Sequence, residues 1–155
     1  MTSVESKTRR TMDDYEIGDK AVFAKTISES DVYQFAGISG DFYPLHINKE
    51  SAAKTRFGQR IVHGVLTTGL ISTVLGTPLQ GPGVGNAVEM QLILNFTAPV
   101  FFGDTITAEA EVVEKIAEKR IVRLRTICRN QRGEVVIDGE AKLKLLREMW
   151  VEGKE

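Results

Sequence analysis

Apolar residues fall at every second position through much of the C-terminal half of the chain. Met90, Leu92, Leu94 and Phe96 alternate, and so do Ile106, Ala108, Ala110 and Val112. Val122, Leu124 and Cys128 repeat the pattern, with Arg123, Arg125 and Arg129 on the opposite face. Val135, Ile137, Ala141, Leu143 and Leu145 share one face after them. A period of two predicts half-buried strands. Gly103-Asp104, Glu118-Lys119-Arg120 and Asn130-Gln131-Arg132-Gly133 read as the turns between them. The four runs together predict an antiparallel meander.

The N-terminal half has other periods. Lys20 to Ile27 predicts a first strand around Val22 and Phe23. Ser28-Glu29-Ser30-Asp31 then reads as a capping box, with Asp in place of the usual Glu. Val32, Phe35 and Ala36 follow at helical spacing, and Gly37 is the expected stop. Asn48 predicts the cap of a short helix through Ala52 and Ala53. Val65 to Leu75 predicts a nearly uncharged helix, apolar on nearly every side, which must be covered on nearly every side. A long antiparallel sheet curled around one buried helix satisfies the pattern, with its charged face outward. The expected class is α+β, and the arrangement resembles the hot-dog architecture. One domain is expected over residues 15–147, with tails at 1–14 and 148–155.

Composition narrows the function classes. The chain has 155 residues, enough for one domain with a real core. Its 20 basic and 21 acidic residues leave a net charge of −1, which predicts neither a nucleic-acid nor a membrane-surface partner. The uncharged span from Ile61 to Val88 is broken by Gly76, Pro78, Gly81, Pro82 and Gly83, so it lacks the ~20 successive apolar residues of a membrane helix. A single cysteine, Cys128, excludes an internal disulfide framework and fits a reducing compartment, so a cytoplasmic protein is expected. The first residues lack the apolar core of a secretory signal, and the Asn95-Phe96-Thr97 sequon therefore carries no weight.

Candidate chemistry concentrates between Phe35 and His46. Asp41 and His46 lie five residues apart with Pro44 between them. Pro44 lacks an N–H and pushes Tyr43 toward extended geometry, so a bent loop is expected in place of a regular helix. Such a loop can turn a carboxylate and an imidazole toward one point, where they can share acid–base work on one water. On residue types alone, a pair of loop residues that merely hydrogen-bond is the commoner outcome.

The run Ala36-Gly37-Ile38-Ser39-Gly40-Asp41-Phe42-Tyr43-Pro44-Leu45-His46, with Thr55-Arg56-Phe57-Gly58 and Ile61-Val62-His63-Gly64, resembles the MaoC-like dehydratases. Within that family it is most similar to the short (R)-specific enoyl-CoA hydratases. Leu75-Gly76, Leu79-Gln80-Gly81-Pro82-Gly83, Ala98-Pro99-Val100 and Gly103-Asp104-Thr105 agree in order, and the similarity runs from Ile17 to Leu146. The resemblance implies Asp41 and His46 as the catalytic pair and the Gly64 backbone N–H as the donor to the thioester oxygen. It also implies Ser72 in the substrate pocket, on the central helix. The family's usual Asn before the proline is Tyr43 here, which places Tyr43 at the pocket and puts the loop's bracing in question. An acyl-CoA thioester substrate, a homodimer joined at its sheet edges, and no cofactor beyond the CoA of the substrate follow from the same likeness.

The remaining candidates have simpler readings. His63 is expected to anchor the helix entrance, and Cys128 to sit in the core. Gly81-Pro82-Gly83-Val84-Gly85 superficially resembles a phosphate loop, but it precedes a strand instead of opening a helix. No His/Cys/Glu cluster has metal-ligand spacing, so no metal is expected. Arg56 and Arg60 are candidates for CoA phosphates and equally for plain surface charges. Two other functions fit the same frame. A thioesterase would use the helix-end N–H for hydrolysis, and a non-catalytic acyl-CoA-binding or regulatory module would use the pocket alone. The Asp41–His46 pair argues against both.

Overall fold

Ser28 opens the first helix as its sequence implies. Its Oγ accepts from the Asp31 amide at 3.1 Å, and the Asp31 carboxylate accepts from the Ser28 amide at 2.8 Å. In the computed structural model, which describes residues 10–80 and 86–147, this helix α1 spans Glu29–Ser39. It runs past Gly37 and ends at Gly40, whose φ of 81° is left-handed and whose amide donates to the Ala36 carbonyl at 2.8 Å. Ser39 Oγ, bonded to the Phe35 carbonyl at 2.7 Å, accompanies the extra turn. A glycine stops a helix where the chain turns left-handed, and that place is Gly40.

The expected bent loop also contains a turn of helix. Pro44 stands first in α2 (Pro44–Ile47), a position where its missing N–H costs nothing. Asn48 Oδ1 then accepts from the Ser51 amide at 2.9 Å and caps α3 (Lys49–Ala53). The central helix α4 spans Gly64–Gln80, longer than its uncharged core suggested.

The strands are β1 (Lys20–Thr26), β2 (Ala87–Phe96), β3 (Thr105–Ile116), β4 (Ile121–Arg129) and β5 (Val135–Leu145). They form one antiparallel sheet in the order β1-β3-β4-β5-β2. The meander is therefore three strands, β3 to β5, and not four. After α4, β2 pairs with β5 at the far edge, and the chain crosses back to β3 through Thr97–Asp104. That crossover is pinned on its own: the Val62 amide donates to the Val100 carbonyl at 2.8 Å, and Ile61 bridges Phe101. At its end Asp104 is almost fully buried. Burial pushes its carboxyl up, but bonds from the Gln131 side chain and the Phe101 amide, with Arg132 alongside, outweigh that and hold it below its ordinary value.

The core forms where the sheet wraps α4, in the hot-dog arrangement. Ile106, Ala108, Ala110 and Val112 are fully buried, as are Val122, Leu124 and Cys128. They pack in one cluster with Leu70, Ile71, Val74 and Leu75 of α4. Burial pushes the Cys128 thiol up to about 12, which leaves it inert in the core. On the outer face Arg123 pairs with Glu114 and Glu140, and Arg125 with Asp138.

Strand β2 departs from its expected alternation. The register shifts between Glu89 and Gln91, so Met90 is an extra residue and turns away from the core, while Leu92 and Leu94 pack against it. Val88, Met90, Ile93 and Phe96 are all exposed along this open edge. The neighbouring face of α4 is also uncovered, with Val65, Ser72 and Thr73 exposed. The complete cover expected for α4 is therefore not supplied by the described residues of one chain.

Residues 10–14, expected as part of a tail, are packed. Met12–Asp14 form a single 3₁₀ turn, the Arg10 amide donates to Asn86 Oδ1 at 3.0 Å, and the Arg10 guanidinium lies over the ring of fully buried Tyr15. The Gly81–Gly85 loop, residues 1–9 and the tail at 148–155 lie outside the described residues. No described helix is long and apolar enough to cross a membrane.

Candidate active site

The helix stop at Gly40 delivers Asp41 to the N-terminal end of α4. Asp41 Oδ1 accepts from the Tyr43 amide at 3.2 Å in an Asx turn, and its own amide donates to Ser39 Oγ at 3.2 Å. These bonds orient the carboxylate while half of the side chain stays open to solvent.

Pro44 starts the turn that carries His46. The His46 Nδ1 lies 2.8 Å from the Ile61 carbonyl oxygen. A carbonyl only accepts, so Nδ1 is the donor, and in the neutral ring Nε2 keeps a free lone pair. His63, the residue before α4, stacks on His46 with ring centroids 3.9 Å apart, and its Nε2 lies 3.0 Å from the Asp41 carbonyl oxygen. Asp41, His46 and His63 each offer one ligand-type atom within 4.8 Å of the others. One nitrogen of each ring is committed to a carbonyl, which fixes the orientation of both rings. Sequence reasoning placed His63 at the helix entrance, where it is, but did not bring it into contact with both members of the pair. Its place in Ile61-Val62-His63-Gly64 was the available signal.

A cavity of about 490 Å³ opens beside this cluster. His46 and Gly64 stand in its wall, with an apolar lining that includes Phe96, Ala98, Val100 and Ile137. Gly64 is the first residue of α4, and its N–H has no partner among the described residues. The amide sits at the positive end of the helix dipole, a placement that suits an oxyanion. The glycine has a second reason besides close approach: a Cβ there would stand 2.8 Å from the Phe96 ring.

Tyr43 is exposed, with its ring edge toward His46 at 6.0 Å, and does not line the cavity. Ser72 does not line it either, being exposed on the uncovered face of α4. Arg60 is engaged elsewhere: it donates to Glu29 at 2.6 Å and to the Tyr33 hydroxyl at 3.0 Å, and lies over the Phe102 ring. Arg56 is exposed at the cavity and lies over the Phe57 ring. The site thus joins an imidazole with one free lone pair and an unpaired amide in the cavity wall, with the oriented Asp41 carboxylate beside the imidazole but outside the cavity's lining. Such a set can activate a water beside a polarised carbonyl compound.

Residues 14–130 match the family model described as a MaoC like domain. An (R)-specific enoyl-CoA hydratase from Rhodospirillum rubrum is 50% identical over 129 residues, covering 83% of this chain and 87% of that protein. A 3-hydroxybutyryl-CoA dehydratase from Methylorubrum extorquens is 49% identical over 133 residues, covering 86% and 82%. The solved (R)-hydratase of Aeromonas caviae superposes with a TM-score of 0.79 at 40% identity, covering 85% of this chain and 98% of that one.

Proposed function

The chain belongs to the MaoC-like domain family, and we propose that it is an (R)-specific enoyl-CoA hydratase that adds water syn across trans-2-enoyl-CoA, or runs the reverse dehydration. The reaction type is that of a hydro-lyase. The observation that carries the reading is the meeting of Asp41 and His46 at the N-terminal end of α4, in a chain 50% identical over 129 residues to an enzyme of that name.

One water is held between the Asp41 carboxylate and the His46 Nε2, both of which accept hydrogen bonds. Asp41 takes a proton from it while His46 fixes its direction, and the oxygen bonds to the β-carbon. The π electron pair moves toward the thioester, whose oxygen gains charge and meets the Gly64 N–H. The proton then reaches the α-carbon from the same pair, on the same face, and the thioester stays whole. CoA enters as part of the substrate, and the step draws on no further cofactor. A cytoplasmic setting suits the single reduced cysteine. Crotonyl-CoA separates this reading from its rivals: a hydratase consumes the enoyl thioester without releasing thiol, a thioesterase releases CoA, and a binding module does neither.

The working unit in this reading is a homodimer. Strand β2 is an open edge with an apolar row, a surface that soluble proteins cover, and the bare face of α4 lies beside it. A second copy joined along β2 would cover both, and would bring Ser72 from an exposed face to the margin of a shared pocket. Tyr43 would stand at the rim. Light scattering at micromolar concentration should give twice the mass of the chain, and a monomer there would contradict this assembly.

A further inference from the structure

Among the described residues of the site, His63 is a buried polar side chain that the proposed hydration leaves without a task. It is 2% exposed and is held between Phe35, at 4.8 Å between ring centroids, and His46, at 3.9 Å with the planes 29° apart. Its Nε2 faces the Asp41 carbonyl, an obligate acceptor, so the ring hydrogen is on Nε2. Its Nδ1 is buried without a partner, and so is the hydroxyl of Thr67, one turn further along α4. An acceptor and a donor thus sit four residues apart at the start of that helix.

We propose that His63 is a positioning residue for the hydration, setting Asp41 and His46 against one another through its two ring contacts. The bond to the Asp41 carbonyl fixes the backbone from which a half-exposed carboxylate projects. The stack fixes the plane of His46, which is otherwise tied by Nδ1 alone. Both members of the pair therefore take their place from one rigid ring at the mouth of α4. The inference rests on the hydratase reading, because His63 acts only through the two residues assigned there.

Two variants separate the contacts. His63→Phe keeps the aromatic stack and removes the donor, whereas His63→Gln can restore an N–H toward the Asp41 carbonyl. With crotonyl-CoA, His63→Phe should lower kcat about 10²-fold, the effect of a misplacement of about 1 Å, and leave KM within about threefold. His63→Gln should recover roughly tenfold of that loss. A merely structural role would lower the melting temperature with kcat per folded site unchanged. A His63→Phe kcat within about twofold of wild type, or a rise in KM alone, would overturn the proposal.

The wild-type protein gives an answer that needs no variant to fold. The chain has two histidines, so long-range ¹H–¹⁵N spectra resolve two imidazoles. His63 should carry its hydrogen on Nε2 alone, and a proton on Nδ1 would overturn the assignment. Absence of crotonyl-CoA hydration by the wild-type protein would instead remove the hydratase reading, while the His63 spectrum would still report the bond to the Asp41 carbonyl.

Discussion

Asp41→Ala and His46→Ala should each lower the hydration of crotonyl-CoA by about 10²–10⁴-fold while the protein stays folded, the usual contribution of a positioned acid or base. The two roles that compete for these residues predict different outcomes. If they only hydrogen-bond within the loop, their loss costs stability and leaves the rate per folded molecule intact. His46→Ala removes the stack on His63 and leaves the Ile61 carbonyl unpaired, the latter a loss of about 1–3 kcal/mol, which a domain with about 5–15 kcal/mol of stability survives. The Asp41 side chain is half exposed, so its truncation opens no core cavity. Asp41→Asn sharpens the test. Its side-chain carbonyl can still accept from the Tyr43 amide and keep the Asx turn, yet it cannot take a proton from water. It should therefore be nearly as inactive as Asp41→Ala. Activity within about tenfold of wild type in any of the three variants would sink the assignment, set against the expected loss.

Gly64→Pro should cost about 10²–10³ in kcat, the usual effect of removing one oxyanion donor. Proline is tolerated at the first position of a helix, where its fixed φ is already suitable, so α4 should still form. The complication is Phe96, whose ring atoms would lie 2.8 and 2.9 Å from any new Cβ. Gly64→Ala makes the same contact and keeps the N–H. Phe96 is 56% exposed and has room to swing aside. The ratio of the two variants therefore isolates the donor from the crowding. Equal activity of Gly64→Pro and Gly64→Ala would show that the amide does not serve the reaction.

Much of the fold was legible in the chain because its determinants are local. The Ser28–Asp31 box, the Asn48 cap and the alternation of β3 and β4 each follow from neighbouring residues, and each formed as expected. The failures have long-range causes, the end of α1 excepted. Gly37 and Gly40 are equally able to end α1, and only the bonds around Ser39 and Gly40 decide between them. Four alternating runs look like a meander however the first and second are joined, and the Thr97–Asp104 crossover between them is held by Ile61 and Val62, more than thirty residues upstream. The bulge at Met90 inverts a face that period-two counting assumes continuous. Ser72 shows the limit most plainly. It is exposed on the bare face of α4 and does not line the cavity of the site; in the proposed dimer a second copy would cover it, and one chain's pattern does not record such a cover. His63 was read correctly as an anchor, but its stack on His46 depends on the turn that Pro44 starts.

The proposed mechanism makes its most specific claim about where the new hydrogen goes. If one water between Asp41 and His46 supplies both the hydroxyl and the proton, the two must enter on the same face of the double bond. Crotonyl-CoA incubated with the protein in deuterated water, followed by NMR and chiral analysis of the product, measures this directly. The expected product is an intact (R)-3-hydroxybutyryl thioester with one deuterium at Cα, syn to the new hydroxyl. Anti placement of the deuterium, an (S) product, or release of free thiol in place of hydration would contradict the account.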